Sequence, residues 1–112
     1  METTKVFVYG TLRKDEPAHG HLERMDAKFL GYDTVCGRKT TVYGRYPGLI
    51  KGFGLVSGEV YEIPLTGLLL LDTYESVDHG AYYREKVTTS GGLRVWTYFA
   101  TIEEDKELTR IA

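Results

Sequence analysis

Glycine-rich stretches divide most of this chain into short segments that are rich in β-branched and aromatic residues. Residues 5–9 end at Gly10, and Tyr46-Pro47-Gly48 and Gly52-Phe53-Gly54 separate later segments of the same kind. Nine tyrosines and 13 glycines among 112 residues strengthen this pattern, because tyrosine favours strands and glycine favours turns, bulges and close backbone approaches. A chain punctuated in this way predicts a small sheet rather than a bundle of helices.

Six segments have the character of strands, and they are residues 5–9, 28–35, 39–44, 55–63, 82–89 and 93–101. The last two alternate apolar and polar residues around Ser90-Gly91-Gly92, which indicates a hairpin. Pro64 and Thr66 precede the one convincing helix, residues 67–74, and a short helical turn is expected at residues 21–25. The pattern predicts an α+β fold in a single domain over residues 1–112, a small mixed β-barrel of about six strands with one or two short helices.

Charge and apolar patterning exclude several classes of partner. Fourteen Lys and Arg residues against 16 Asp and Glu give a net charge of −2, without the basic cluster that nucleic-acid binding requires. The longest apolar run, residues 68–71, is far shorter than the roughly 20 residues of a membrane span. The lone Cys36 cannot close an intramolecular disulfide and fits a reducing compartment. We therefore predict a cytoplasmic protein with no nucleic-acid or membrane partner, and the sequence leaves the oligomeric state open.

The predicted helix carries a carboxylate at an unexpected position. If the helix continues through its last turn, Leu68, Leu71 and Glu75 lie at i, i+3 and i+7 on one face, so Glu75 follows the apolar stripe toward the core. Burial and the negative end of the helix dipole would both raise its pKa toward the range of a general base. Alternatively, the helix ends before Tyr74, and Glu75 faces solvent or pairs with Arg84.

The loop after the first strand, with the sequence Val8-Tyr9-Gly10-Thr11-Leu12-Arg13, is a second candidate site. A buried strand that ends in glycine lets unpaired backbone N–H groups approach an anionic ligand. An ordinary strand-end turn would have the same residues. The loop lacks the further glycines of a Walker or dinucleotide-binding loop.

Neither a metal site nor a cysteine nucleophile is predicted. His19 and His21 share one polar loop, but His79 and Cys36 lie in other segments, so three segments would have to converge on a metal. Cys36 has no neighbouring histidine or acid and is typical of a small buried cysteine.

Five short sequences together resemble the gamma-glutamylcyclotransferase-like family in order and spacing: VYGTLR at residues 8–13, YPGL at 46–49, GEVYEI at 58–63, LDTYE at 71–75 and YYRE at 82–85. The resemblance covers about residues 6–100. It implies a small mixed barrel with a cavity closed on one side by Tyr9, Gly10, Thr11 and Leu12. Glu75 falls on the family's catalytic glutamate, and Thr11 stands where many relatives have serine. The chain looks closer to the compact branch, which includes enzymes acting on gamma-glutamyl amines.

In the reaction that this resemblance implies, the free α-amino group of a γ-glutamyl moiety attacks its own γ-carbonyl, giving 5-oxoproline and a free amine. Glu75 would move the proton, and the backbone amides around Gly10 to Leu12 would hold the substrate carboxylate or carbonyl. Tyr9 and one of the adjacent Tyr82 and Tyr83 would line the pocket. No metal or organic cofactor is required by this chemistry. Two alternatives stay open: a non-catalytic protein that binds a small amino-acid-like metabolite, and an interaction protein in which Glu75 is merely paired.

Overall fold

Five strands and two short helices form the part of the chain that the structure, a computed structural model, describes, which is residues 2–75 and 80–101. In chain order they are β1 (Thr3–Val8), α1 (Gly20–Arg24), β2 (Lys28–Val42), β3 (Tyr46–Pro64), α2 (Gly67–Tyr74), β4 (Tyr82–Thr88) and β5 (Arg94–Ala100). The helix predicted at residues 67–74 and the hairpin around Ser90-Gly91-Gly92 are confirmed. Neither described helix is long and apolar enough to cross a membrane.

The five strands form one mixed sheet in the order β2-β3-β1-β5-β4. Strand β1 pairs antiparallel with β3 and parallel with β5, while β2 pairs with β3 and β4 with β5 in antiparallel fashion. The predicted α+β class is confirmed. Among the described residues the sheet is strongly curled but does not close, with β2 and β4 at its edges, so the predicted small barrel is an open, curled sheet.

The long hairpin of β2 and β3 explains why there are five strands in place of the predicted six. The segments predicted at residues 28–35 and 39–44 are one continuous strand, which turns at Tyr43 and Gly44. Both turn residues have positive φ angles, 56° and 66°, the backbone of a tight hairpin turn. The sequence predicts a break between strands at Tyr46-Pro47-Gly48, but these residues belong to β3.

An irregularity in this hairpin curls the sheet. Cys36 pairs with Leu55 and Arg38 pairs with Ile50, so residues 51–54 of β3 lie opposite Gly37 alone. Such bulges bend a strand and increase its twist. The glycines at 52 and 54 thus lie in a bulge and do not separate two strands, and Cys36 beside it is exposed, contrary to the expectation of a buried cysteine.

Apolar residues cover both faces of the central strand β1. Val6 and Val8 belong to one core cluster, which includes Leu22 of α1 and Leu71 of α2. Phe7 and Tyr9 belong to a second cluster, which residues of the curled hairpin complete. The loop that follows β1 therefore starts in the interior of the protein.

Helix α2 packs one face against the sheet and leaves the other in solvent. Leu68 and Leu71 are buried, whereas Leu69 and Leu70 are exposed. Thr66 occupies the N-cap position, but its side chain makes no capping hydrogen bond. The amide of Glu75 donates to the carbonyl oxygen of Leu71 at 2.8 Å, so Glu75 lies on the last turn and follows the buried face.

Gly58 of β3 allows this strand to pack closely against β1, and a substitution there tests that packing. A Cβ at this position would overlap the carbonyl oxygen of Val8 and lie 2.5 Å from Cζ of Phe7. We expect Gly58→Ala to lower the free energy of unfolding by about 1–3 kcal/mol in urea denaturation, because the core must shift to accept the methyl group. Gly52→Ala is the matched control, since the nearest atom to its Cβ is 3.8 Å away. Equal stability of the two variants would contradict this packing.

Candidate active site

A cavity of about 300 Å³ lies where the end of β1 meets the end of α2. The loop residues Tyr9 to Leu12 line one part of its wall, and Glu75 lines another. The two predicted site segments are more than 60 residues apart in sequence, and the fold brings them to one cavity. Tyr82 and Tyr98 contribute from the neighbouring strands β4 and β5.

The loop after β1 uses its carbonyl groups within the protein and leaves its amides available. The carbonyl oxygen of Gly10 accepts from the amide of Arg13 at 3.1 Å, and that of Thr11 accepts from the amide of Ala18 at 2.9 Å. Within the described part of the chain, no residue accepts a hydrogen bond from the amide nitrogens of Gly10, Thr11 and Leu12. Three consecutive unpaired N–H groups at a cavity wall suit an anion or a polarised carbonyl oxygen.

Gly10 keeps this loop close to the β2–β3 hairpin. A Cβ there would lie 3.0 Å from Cγ of Pro47, which also lines the cavity. This approach favours glycine here, whereas the backbone conformation does not demand it, because the residue does not have a positive φ angle.

Glu75 is a partly buried carboxylate without a polar partner among residues 2–75 and 80–101. Burial raises its pKa from the ordinary value of 4.5 to about 7. The alternative that Glu75 pairs with Arg84 is wrong in this structure, since Arg84 binds Asp72 through Nε and Nη2 at 2.8 and 3.0 Å. A carboxyl group with this pKa can both accept and return a proton near neutral pH.

Two cavity tyrosines have their hydroxyl protons committed to backbone carbonyl groups. Tyr9 donates to the carbonyl oxygen of Tyr98, and Tyr82 donates to that of Pro47, each at 2.6 Å. Burial, and secondarily the nearby charge of Glu75, raises the pKa of both phenols above the ordinary value of 10. Both therefore stay neutral at physiological pH. The Tyr9 oxygen already accepts a hydrogen bond from the backbone of Leu49, whereas the Tyr82 oxygen remains able to accept one.

The sequence left open which of the adjacent Tyr82 and Tyr83 faces the cavity. Tyr82 lines it, whereas the ring of Tyr83 stacks on Phe99 at 5.6 Å between centroids and is 40% exposed. The alternation of side chains along β4 separates the pair.

Several cavity residues were not assigned a site role from the sequence. Tyr74 shares a hydrogen bond of 2.7 Å with Thr11 and so connects the loop to the residue before Glu75. Tyr46 and Pro47 line the mouth from the hairpin. Tyr46 and Pro47 belong to the YPGL sequence, and Tyr74 belongs to the LDTYE sequence. The YPGL sequence reaches the cavity because the hairpin turns at Tyr43 and Gly44.

Among the described residues, no group of three or more His, Cys, Asp and Glu side chains is placed to hold a metal ion. Nδ1 of His19 lies 2.9 Å from the carbonyl oxygen of Leu12, and the ring of His21 packs on Tyr74. His79 lies outside the described residues. The cavity combines one carboxylate of raised pKa, neutral hydroxyls and available amides, an arrangement that suits proton transfer next to a developing oxyanion.

Comparisons with known proteins show which family this chain belongs to. The sequence model of the family described as "Gamma-glutamyl cyclotransferase, AIG2-like" matches residues 6–112. A Vibrio cholerae protein that is provisionally named a gamma-glutamylcyclotransferase is 38% identical over 94 residues, which cover 83% of this chain and 78% of that protein. The chain belongs to the gamma-glutamyl cyclotransferase, AIG2-like family.

Solved structures show the same fold. A crystal structure of an uncharacterized Pyrococcus horikoshii protein superimposes with a TM-score of 0.75 at 30% identity, covering 91% of this chain and 81% of that one. The crystal structure of an AIG2-like protein from Mus musculus gives a TM-score of 0.77 at 24% identity, covering 96% and 84% of the two chains. At that identity the mouse structure supports the fold alone.

The raised pKa of Glu75 makes stability depend on pH in a defined direction. A carboxyl group whose pKa is higher in the folded state stabilises the fold at low pH, and this contribution is lost as the pH rises through the folded pKa of about 7. Glu75→Gln removes the titration, so the variant should exceed wild type by roughly 1–3 kcal/mol in free energy of unfolding at pH 8. The difference should shrink as the pH falls to 5.

Urea denaturation at pH 5, 6, 7 and 8 measures this trend. Glu85→Gln, which changes a carboxylate in a surface ion pair with Lys51, is the control and should lack it. A stability difference between wild type and Glu75→Gln that stays constant across this range would show that Glu75 titrates at its ordinary pKa.

Proposed function

We propose that this protein converts a γ-glutamyl amine or γ-glutamyl amino acid to 5-oxoproline and the free amine, with Glu75 as the general acid and base. The observation that carries the proposal is the Glu75 carboxylate, which has no polar partner among the described residues and a pKa raised to about 7, in the wall of the same cavity as the Tyr9 to Leu12 loop. Family membership supports a cyclotransferase-type activity.

The chemistry begins with a proton transfer. The α-amino group of the substrate is an ammonium near neutral pH and is not nucleophilic in that form. Glu75 accepts one proton from it, and the freed nitrogen lone pair attacks the γ-carbonyl carbon, which closes a five-membered ring. No water is consumed in this step.

The tetrahedral intermediate then collapses. Its oxyanion needs preorganised donors, and the available amides of Gly10, Thr11 and Leu12 are the candidates on this cavity wall. The bond between the γ-carbon and the leaving nitrogen breaks as Glu75 returns its proton to that nitrogen. The ring nitrogen still carries a second proton, which the Glu75 carboxylate then accepts to give the neutral lactam and passes to the departing amine, which leaves as an ammonium. A carboxyl group with a pKa of about 7 is matched to both halves of this transfer.

The tyrosines assist by position. Because Tyr82 donates its proton to the backbone carbonyl of Pro47, its oxygen can accept a hydrogen bond from the substrate ammonium. The Tyr9 oxygen already accepts one from the backbone of Leu49. The raised pKa values of both tyrosines keep them neutral, so neither competes with Glu75 as the base. Tyr83 packs outside the cavity on Phe99, and we assign it no contact with the substrate.

The product distinguishes cyclisation from hydrolysis. Incubation with a panel of γ-glutamyl amines, γ-glutamyl amino acids and ε-(γ-glutamyl)-lysine should yield 5-oxoproline, detected by mass spectrometry. N-acetylation of the substrate should abolish turnover, because it removes the attacking lone pair and leaves the amide bond intact. Glutamate as the primary product, or normal cleavage of the acetylated substrate, would refute internal aminolysis. Binding of these compounds in thermal-shift titrations without turnover of any of them would favour the non-catalytic alternative.

Glu75→Gln separates binding from chemistry. Glutamine nearly matches the size of glutamate but cannot accept the ammonium proton, so kcat at saturating substrate should fall by about 10² to 10⁴. Glu85→Gln should retain the kcat of wild type, since Glu85 pairs with Lys51 outside the cavity. If kcat of Glu75→Gln stays within about threefold of wild type, which is under roughly 1 kcal/mol in barrier, Glu75 is not the base.

A further inference from the structure

Helix α2 carries two carboxylates three residues apart in opposite environments. Asp72 accepts three hydrogen bonds: from Nε of Arg84 at 2.8 Å, from Nη2 of Arg84 at 3.0 Å and from the hydroxyl of Tyr98 at 2.6 Å. Glu75 accepts none from the described residues. Burial alone would raise the pKa of Asp72, but the hydrogen bonds from Arg84 and Tyr98 outweigh it, so the pKa is lowered.

The partners of Asp72 come from the two strands that border the cavity. Arg84 of β4 and Tyr98 of β5 are direct cross-strand neighbours, and both side chains reach the same carboxylate. The guanidinium of Arg84 also lies over the ring of Trp96, with its Cζ 4.5 Å from the ring centroid. A bidentate and stacked arginine is held in one orientation, because the flat guanidinium matches both partners.

The other end of this network is the cavity wall. The backbone carbonyl of Tyr98 accepts the hydroxyl of Tyr9, and Tyr98 itself lines the cavity. The charges of Glu75 and Arg84 both act on the Tyr98 hydroxyl, and Asp72 and Glu75 are three residues apart, a spacing that makes side chains neighbours on a helical turn. The guanidinium that binds Asp72 is therefore beside the helical neighbour of Glu75, whose carboxylate has no polar partner among the described residues.

We propose that Asp72 is a positioning residue for Glu75: it holds Arg84 against Tyr98 and Trp96, and thereby keeps the guanidinium from becoming the ion-pair partner of Glu75. The functional meaning rests on the proposed role of Glu75 as the base. A carboxylate that pairs with arginine is a weak proton acceptor, because the opposite charge favours its ionised form.

The described residues that line the cavity with Glu75 include no cation. The loop after β1 presents Tyr9, β4 presents Tyr82, β5 presents Tyr98, and α2 itself presents Tyr74 and Asp72. Helix α1 places His21 against Tyr74. Of the residues that line the described cavity, only Glu75 carries a formal charge at neutral pH.

A purely structural role for Asp72 predicts different behaviour. If Asp72 only braces α2 against the sheet, any loss of the Asp72–Arg84 pair would loosen the last turn and expose Glu75 to solvent. Removing both partners would then be as harmful to the raised pKa of Glu75 as removing Asp72 alone. If Asp72 restrains Arg84, removing both partners restores what removing Asp72 disturbs.

The test is a carboxyl ¹³C NMR titration of Glu75 in wild type, Asp72→Asn, Arg84→Met and the double variant Asp72→Asn/Arg84→Met. We expect the pKa of Glu75 to be about 7 in wild type and lower by about one pH unit or more in Asp72→Asn, where the freed arginine reaches it. The double variant should keep a value close to wild type, and Arg84→Met a value at or above it, because the Asp72 carboxylate left without its arginine disfavours the ionised form of Glu75. Glu85→Gln, which breaks the neighbouring Lys51–Glu85 pair on β4, is the matched control and should leave the titration unchanged.

Each other result overturns the inference. An unchanged Glu75 pKa in Asp72→Asn, or a lowered pKa that persists in the double variant, contradicts restraint of Arg84. If Asp72→Asn does not fold, a lowered Glu75 pKa in Arg84→Met also contradicts the inference, because that variant lacks the arginine that would have to lower the pKa. The titration follows the carboxyl group directly, so a protein that turns over no γ-glutamyl compound would refute the proposed function and would still test this inference.

Discussion

The burial of β1 on both faces is the constraint that places the cavity. A strand in the middle of a curled mixed sheet has apolar neighbours above and below, and here one cluster includes Leu22 and Leu71 of the helices while the other includes residues of the β2–β3 hairpin. The chain leaves this interior through the loop at Tyr9 to Leu12, and the amides of Gly10 to Leu12 find no acceptor among the described residues. Through Leu68 and Leu71, helix α2 packs on the cluster that includes Leu22. Its last turn places Glu75 in the wall of the cavity that the loop also lines.

The same packing gives Asp72 and Glu75 different electrostatic surroundings. Asp72 points toward Arg84 and Tyr98, and its charge is satisfied by three hydrogen bonds. Glu75, three residues later, receives no such partner among the described residues, and burial raises its pKa. Two carboxylates of one helix thus differ in proton affinity because of their surroundings, which is how proteins divide structural and chemical roles between like groups.

The sequence predicts helix α2 and the β4–β5 hairpin, because residues within or next to these elements determine them. Pro64 and Thr66 predicted the start of α2, and Ser90-Gly91-Gly92 predicted the β4–β5 hairpin. The spacing of Leu68, Leu71 and Glu75 offered burial of the carboxylate as one of two alternatives. The long hairpin was beyond these signals, because Tyr43 adopts a positive φ angle that a non-glycine residue rarely takes. The partner of Arg84 was also not predictable, since the choice between Asp72 and Glu75 depends on how α2 rotates against β4 and β5.

The pH dependence of kcat/KM for a turned-over γ-glutamyl substrate tests the central claim, a cavity carboxylate of raised pKa that acts as the base, most directly. This quantity reports the ionisations of the free enzyme. We predict that kcat/KM rises with pH through an apparent pKa of about 7, the value that burial gives to Glu75. A rate that is already at its plateau at pH 6, with its acid limb near the ordinary glutamate pKa of 4.5, would contradict the account.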